Sequence, residues 1–251
     1  MRIRIVQANV RIVNHNVRSG IKDVIRKLRW YSLKPDVFGL QETANAAQRG
    51  YLRDFPHYTT HFHKPVSHWN NDNMTLLHKR NKFQSFKQVH AANGVKHRDG
   101  RYHGTAPRQY TVTTFKRGKH KFAHFDTHTH VLNEKDSYLL PENKWSRAAK
   151  QYKKHVILMT EDMKRYKKLG YIVTLTSDDN ADRFRVNGKL HDWEYSLYHY
   201  VQKHLGMKVE KHHIDMIAWF PDQLKKVSSK WLDKDIIHSD HPTGIVKLDV
   251  K

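Results

Sequence analysis

The segment YIVTLTSDDN, residues 171–180, is an apolar strand that ends in a cluster of acidic and amide side chains. A long amphipathic helix precedes it, with Ser146 as its predicted N-cap and Gly170 at its end. In layered α/β proteins, polar groups at the ends of strands line the functional site. This segment therefore predicts a layered α/β protein with a functional site at Asp178.

Other predicted strands of the chain also end in polar side chains. Residues 37–40 form a short buried strand that runs into Gln41-Glu42, and the strand at residues 122–130 places four polar side chains on one face. Further strands are predicted from Met1 and at residues 74–77, 83–89, 109–115, 214–219 and 244–250, and further helices at 21–28 and 193–205. The chain has no fixed-period repeat and no linker rich in proline or glycine, which favours one domain over residues 1–251.

The composition limits the partners and the compartment. Lys and Arg number 46 against 24 Asp and Glu, and the formal charge of +22 favours polyanions such as nucleic acid. The absence of cysteine excludes a disulfide framework and a thiolate metal site. The N-terminus alternates like a strand and lacks the apolar stretch of a signal peptide or membrane span. We expect a soluble, cytoplasmic, monomeric protein that does not bind membranes.

Residues 237–242, which read Ile-His-Ser-Asp-His-Pro, lie just before the last predicted strand. Asp240 offers a hard oxygen ligand for a divalent cation, and the imidazole of His241 exchanges a proton near neutral pH. Side by side, the two residues indicate phosphate ester chemistry. A surface turn with a solvated Asp and His has the same sequence pattern. This motif therefore indicates a functional site only if partner motifs occur upstream.

Such partners occur, and in chain order they resemble those of the endonuclease/exonuclease/phosphatase superfamily, which has the DNase I-like fold. The resemblance spans nearly the whole chain and implies an α/β fold: a four-layer sandwich of two packed mixed β-sheets flanked by helices. The matching motifs are Asn9, Asp36-Val37 leading to Leu40-Gln41-Glu42, Asp126-Thr127-His128, Arg147 with Gln151, Asp178 with Asn180, Ile214-Asp215 and Ser239-Asp240-His241-Pro242.

The resemblance also implies a divalent metal site. Glu42 is expected to be the main ligand of Mg²⁺ or Mn²⁺, with Asn9 and Asp240 nearby. Many relatives carry an Asp two residues after the Asn, where this chain has Arg11. The loss of that carboxylate favours one dominant metal site over two.

A catalytic set is implied as well. Asp178 is expected to orient or deprotonate the attacking water and Asn180 to hydrogen-bond the phosphate. His241, with Asp215 as its carboxylate partner, is expected to contact the scissile phosphate, while His128 donates to a non-bridging oxygen.

Two points about this set stay open. His124 and His130 lie on the same strand face as His128 and are alternatives for its role. The family's Gly-Asp-Phe-Asn is Ser177-Asp178-Asp179-Asn180 in this chain, so Asp179 stands where a buried aromatic is usual. We expect Asp179 either to face solvent or to alter the local field.

These features predict a metal-dependent phosphodiesterase, an endonuclease or exonuclease, that hydrolyses nucleic acid, with DNA favoured over RNA. Arg108, Tyr110 and Arg147 are expected to contact the nucleic acid, Tyr110 by stacking on a base. The alternatives are a phosphatase or phospholipase-type phosphodiesterase of the same fold and a non-catalytic nucleic-acid-binding protein. A further alternative is a zinc hydrolase that uses His124, Asp126, His128 and His130.

Overall fold

The computed structural model describes residues 1–9, 34–43, 57–61, 73–96, 100, 107–132, 142–180, 185–186, 189–190, 193–232 and 241–251. For residues 185–186 and 189–190 it describes the backbone alone. The predicted helix at residues 21–28, Arg11 and Asp240 lie outside these ranges. No helix within them is long and apolar enough to cross a membrane.

Sheet A consists of six strands. Their order is β13 (Leu224–Leu232), β14 (Thr243–Val250), β1 (Arg2–Asn9), β2 (Val37–Gln41), β4 (Met74–His78) and β3 (Tyr58–His61). The central strands β1 and β2 are parallel, and all other neighbours are antiparallel. The sheet is therefore mixed, and the C-terminal ends of β1 and β2 meet at the same edge.

Sheet B also consists of six strands. Their order is β11 (Lys208–His212), β12 (Asp215–Trp219), β8 (Ile172–Asp178), β7 (His120–His128), β6 (Arg108–Arg117) and β5 (Lys82–Ala92). Only β7 and β8 are parallel, so this sheet is mixed as well. A separate ribbon pairs β9 (Arg185–Val186) with β10 (Lys189–Leu190). The two large sheets confirm the predicted pair of mixed sheets.

The helices begin and end at capping residues. Helix α1 (Arg147–Lys168) begins after Ser146, whose Oγ accepts the N–H of Ala149 at 3.1 Å, and Gly170 follows its end with a φ of 79°. Helix α2 (Leu197–Leu205) begins after Ser196, so residues 193–196, predicted as its first turn, precede it. A short 3-10 helix, Glu142–Lys144, lies just before α1.

Two apolar clusters hold the layers together. Helix α1 packs on the outer face of sheet B, and the contacting residues include Tyr152, Val156, Met159 and Met163 of α1 and Val112, Phe125, Val173 and Leu175 of the sheet. The second cluster lies between the sheets and includes Ile3, Ile5, Val37, Phe115, Phe122, Ile217, Trp219 and Leu248. The described residues thus form three of the four predicted layers, while a single domain over residues 1–251 stays a prediction.

Gly39 of β2 lies close to strands β7 and β8 of the opposite sheet. A Cβ atom built at this position would lie 1.8 Å from Oγ1 of Thr176 and 2.5 Å from Oδ1 of Asp126. No side chain fits this gap, because real Cβ atoms do not approach other heavy atoms so closely. The glycine therefore allows β2 to pack directly against β7 and β8, beside the ends of those strands.

Candidate active site

The inward-facing side chains of three central strands change from apolar to polar toward one end of the sandwich. Because side chains alternate between the two faces of a strand, every second residue faces the opposite sheet. In chain order these residues are Ile3, Ile5, Gln7 and Asn9 in β1, Phe122, His124, Asp126 and His128 in β7, and Ile172, Thr174, Thr176 and Asp178 in β8. The polar ends meet at one edge of the two sheets.

His128, Asp178 and Asp215 lie side by side across sheet B. Asp178 pairs with His128 in the parallel ladder of β7 and β8, and with Asp215 in the antiparallel ladder of β8 and β12. Paired residues project to the same face of a sheet, here toward sheet A. Their exposed fractions of 4%, 1% and 0% show that the row is almost fully covered by the rest of the protein.

Sheet A contributes Asn9 and Glu42 to the same place. The amide Nδ2 of Asn9 donates to Oε1 of Glu42 at 3.1 Å and to Oδ2 of Asp178 at 2.7 Å, which joins the two sheets. Glu42 has a φ of 58°, in the left-handed region that costs a non-glycine residue about 1–2 kcal/mol. Strain of this kind is characteristic of functional positions, where the surrounding structure imposes the conformation.

His241 and Asp215 form a hydrogen-bonded pair. Nδ1 of His241 lies 2.9 Å from Oδ2 of Asp215, as the sequence predicted for an imidazole with a carboxylate partner. The other carboxylate oxygen, Oδ1, accepts a hydrogen bond from Nε2 of Gln7 at 2.7 Å. Gln7 was not predicted as a site residue. A glutamine at an inward position of an otherwise apolar strand is the signal that would have found it.

Asp178 has a strongly raised pKa. Burial is the main cause and raises the pKa to about 7, and the negative charges of Asp215 and Glu42 add to the effect. The imidazole of His241 and the hydrogen bond from Asn9 act in the opposite direction. A carboxyl group whose pKa lies near neutrality suits proton transfer at physiological pH.

Two groups of acidic and imidazole side chains have the spacing of metal ligands. Glu42, His128 and Asp178 form one group, Asp178, Asp215 and His241 form the other, and the ligand atoms in each lie within 4.8 Å of one another. Oδ1 of Asp178 is buried and has no hydrogen-bond partner among the described residues. Such an oxygen fits a cation or a water bound to one. The donor atoms of this site therefore suit a hard divalent cation such as Mg²⁺ or Mn²⁺.

His124 and Asp126 belong to a hydrogen-bond network between the sheets. The ring nitrogens of His124 lie 3.0 Å from Oγ1 of Thr174 and 3.1 Å from Oγ1 of Thr176, which donates to Asp126 at 2.7 Å. Burial lowers the pKa of His124 to about 3, so its imidazole is neutral, and burial raises the pKa of Asp126 well above its ordinary value. In the described ranges His124, Asp126 and His130 join no group with metal-ligand spacing, so the zinc alternative gains no support.

Thr129 connects Asn180 to the strand of His128. The N–H of Asn180 donates to Oγ1 of Thr129 at 3.0 Å, and its side-chain amide donates to the Thr129 carbonyl at 3.4 Å.

Asp179 is 1% exposed, so it does not face solvent, the first of the two outcomes expected for it. Its carboxylate accepts hydrogen bonds from the hydroxyl of Tyr152 and the N–H of Tyr198, which explains how a carboxylate replaces an apolar residue at this position.

The three residues expected to contact nucleic acid have different environments. Arg108 is 2% exposed. Burial lowers its pKa to about 10, although the negative charges of Glu42 and Asp178 act to raise it. Arg147 is exposed in the first turn of α1.

The assignment of Tyr110 as a base-stacking residue is wrong. Its ring is 0% exposed in the core under α1, and its hydroxyl donates to Oδ2 of Asp162 at 2.6 Å. The reason is strand alternation, which places Tyr110 on the same face as Val112, toward the helix.

Several solved structures have the same fold. An endonuclease/exonuclease/phosphatase from Bacteroides vulgatus matches with a TM-score of 0.72 at 15% identity, over 100% of both chains. The human Nocturnin catalytic domain with bound sulfate anion matches with a TM-score of 0.69 at 14% identity, over 100% of this chain and 95% of that one. D. rerio TDP2 complexed with single strand DNA product matches with a TM-score of 0.64 at 14% identity, over 99% of both chains.

The sequence by itself matches no family model and no curated protein at a significant level. The structural agreement extends over the full length of the chain and includes both mixed sheets. The chain therefore has the endonuclease/exonuclease/phosphatase fold, also called DNase I-like, which its motifs predicted.

Proposed function

We propose that the protein is a divalent-metal-dependent phosphodiesterase that hydrolyses nucleic acid by attack of water on phosphorus. The observation that carries this proposal is the meeting of Asn9 and Glu42 from sheet A with His128, Asp178 and Asp215 from sheet B at one edge. This reaction requires oxygen ligands for the cation, a carboxyl group whose pKa lies near neutrality, and imidazoles.

Glu42 and Asn9 are the residues we assign to the cation, with Mg²⁺ or Mn²⁺ as the ion that their oxygens prefer. The resemblance adds Asp240, which lies outside the described residues. When bound, the cation supplies positive charge that stabilises the negative oxygens of the phosphate. The strained backbone of Glu42 and its hydrogen bond from Asn9 hold its carboxylate in place before a cation arrives.

The remaining residues act on the water and the phosphate. Asp178, whose pKa burial raises to about 7, accepts a proton from the attacking water, and Asn180 donates to a phosphate oxygen. His241, held through Nδ1 by Asp215, presents Nε2 to the phosphate. His128, whose Nε2 lies 3.6 Å from Oδ2 of Asp178, donates to a non-bridging oxygen as its negative charge grows.

Nucleic acid is the substrate class that the charge favours. With a formal charge of +22, the protein attracts a polyanion, and each phosphate contacted by Lys or Arg releases counterions. Arg108, whose positive charge interacts with Glu42 and Asp178, is the arginine that we assign to neutralise a bound phosphate. We favour DNA over RNA, which agrees with the single strand DNA product found with D. rerio TDP2.

The test is hydrolysis of plasmid DNA, single-stranded DNA and RNA with Mg²⁺, with Mn²⁺ and with EDTA. We expect turnover that requires the cation and is lost in Glu42→Gln. Glu161→Gln is the matched control, because Glu161 is exposed on the outer surface of α1. Full activity in EDTA would contradict the proposal. Binding without turnover would indicate a non-catalytic protein, and hydrolysis of phosphomonoesters or phospholipids alone would indicate another substrate class.

A further inference from the structure

We propose that Asp179 is a positioning residue, which ties the catalytic loop, residues 178–180, to the N-terminus of α2. This inference deepens the proposed function, since the loop carries Asp178 and Asn180. Asp179 lies between these two residues in the sequence, and its side chain is 1% exposed and directed into the protein. A buried carboxylate is costly unless hydrogen bonds satisfy both of its oxygens.

Both oxygens of Asp179 are satisfied. The hydroxyl of Tyr152, in the second turn of α1, donates to Oδ1. The backbone N–H of Tyr198 donates to Oδ2 at 3.0 Å, and Oγ1 of Thr129 lies 3.5 Å from Oδ1. The carboxylate therefore connects α1, α2 and the segment after β7 at a single point.

The Tyr198 contact belongs to the capping of α2. The first N–H groups of a helix lack partners within the helix, and they favour a nearby negative charge. Here the N–H of Leu197 donates to the Tyr152 hydroxyl at 2.8 Å, and the N–H of His199 donates to Oγ of Ser196 at 3.4 Å. Asp179 and Tyr152 thus complete the cap, and the start of α2 depends on the catalytic loop.

The backbone of the loop is fixed to the two flanking strands. The N–H of Asp179 donates to the carbonyl of Ile214, which precedes Asp215, at 2.7 Å. On the other side, the N–H of Thr129 donates to the Asp178 carbonyl at 3.1 Å. The side chain of Asp179 thus supports a backbone segment on which the spacing between Asp178 and Asp215 depends. Catalytic rates respond to displacements of about 1 Å, so loss of this support reduces turnover.

Asp179→Asn tests the role at constant volume, because an amide has one acceptor atom where a carboxylate has two. We expect kcat on single-stranded DNA with Mg²⁺ to fall about tenfold or more while KM changes by less than about twofold. Tyr152→Phe removes the hydroxyl that donates to Asp179 and accepts from the N–H of Leu197, so it should also lower kcat. The loss in the double variant should be smaller than the product of the two single losses, since the two residues share one hydrogen bond.

Asp36→Asn is the matched control. Asp36 is also 1% exposed and accepts a backbone N–H, that of Arg4 at 2.8 Å, but it lies at the opposite end of β2 from Glu42. Asp36→Asn should lower the thermal stability of the protein without lowering kcat. An equal fall of kcat in Asp36→Asn and Asp179→Asn would overturn the proposal, because it would show a general effect of destabilisation.

Hydrogen exchange gives a readout that does not depend on activity. Asp179→Asn and Tyr152→Phe should each speed amide exchange in residues 178–180 and 197–199 at least about tenfold, whereas Asp36→Asn should not. If the wild-type protein hydrolyses no phosphodiester, the proposed function fails, and hydrogen exchange alone then tests whether Asp179 positions the loop. Unchanged exchange in both segments would overturn the positioning role, whatever the activity.

Discussion

Nδ1 of His241 lies 2.9 Å from Oδ2 of Asp215, and both side chains are buried. A carboxylate at Nδ1 fixes the orientation of the ring and keeps a proton on that nitrogen. Nε2 is then the nitrogen available to a phosphate oxygen. We therefore expect Asp215 to act through His241, with no separate task at the phosphate.

The first prediction concerns this pair. His241→Ala should lower turnover at least about a hundredfold, the scale for a lost charge-stabilising group, while binding of DNA barely changes. Asp215→Asn should lower turnover less, and the double variant should be no worse than His241→Ala. Steady-state kinetics with His120→Ala as control checks this, since His120 is at the opposite end of β7 from His128. Multiplicative losses in the double variant would show that Asp215 acts independently.

Gln7 provides the second prediction. Its Nε2 donates to Oδ1 of Asp215 at 2.7 Å and to Oε1 of Gln41 at 3.0 Å, so it fixes the carboxylate from the side opposite to His241. Gln7→Leu should reduce kcat about threefold to tenfold, since Asp215 can then rotate away from the imidazole. In an Asp215→Asn background the same substitution should have little further effect. A full loss in that background would place the role of Gln7 elsewhere.

The strand ends that carry the site were predictable from the sequence because two patterns coincide there. Inward positions of β7 and β8 are apolar or neutral at one end and carry His128 and Asp178 at the other. The edge strands β3, β11 and β13 were not predicted. β13 exposes a run of Lys and Ser on both faces, and such a strand has no apolar alternation to detect.

The environment of a single residue was harder to predict than the strand that carries it. Tyr110 was assigned by its proximity to basic residues in the sequence, although its face of β6 packs under α1. The hydrogen-bond partners of Asp179 could not be predicted from the sequence, because Tyr152 and Tyr198 come from two helices that are distant in sequence. Contacts between distant segments decide such cases, and local patterns do not contain them.

Gly39 gives a prediction about stability. Gly39→Ala should lower the free energy of unfolding by about 3 kcal/mol or more, because a methyl group would overlap Thr176 across the sheet interface. Gly118→Ala is the control. Gly118 has a φ of 57°, and no atom of the described residues lies within 4 Å of the place that an added methyl group would take, so only backbone strain of about 1–2 kcal/mol applies. Urea denaturation compares the two, and equal losses would contradict the close packing of the sheets.

The raised pKa of Asp178 predicts that this residue reduces stability. Between its ordinary value of 3.8 and about 7, the folded protein holds a proton that the unfolded chain has lost, so stability falls as the pH rises through this range. Without metal, Asp178→Asn should therefore raise the melting temperature by on the order of 5 °C at pH 8 and very little at pH 4. Asp222→Asn should not, because a hydrogen bond from Lys167 lowers the pKa of Asp222. A lower melting temperature for Asp178→Asn at pH 8 would contradict the raised pKa.

The last prediction links the cation to the pH dependence of the rate. If Asp178 accepts the proton of the attacking water, turnover falls on the acidic side where its carboxylate becomes protonated, and without a cation burial raises its pKa to about 7. A cation at Glu42, beside Asp178, favours the ionised carboxylate of Asp178 and lowers its pKa. Raising Mg²⁺ from limiting to saturating concentration should therefore move the acidic limb of the pH–rate profile to lower pH by about one unit or more. NaCl at equal ionic strength should leave the limb in place. A limb that stays fixed at every Mg²⁺ concentration would contradict an effect of the cation on the pKa of Asp178.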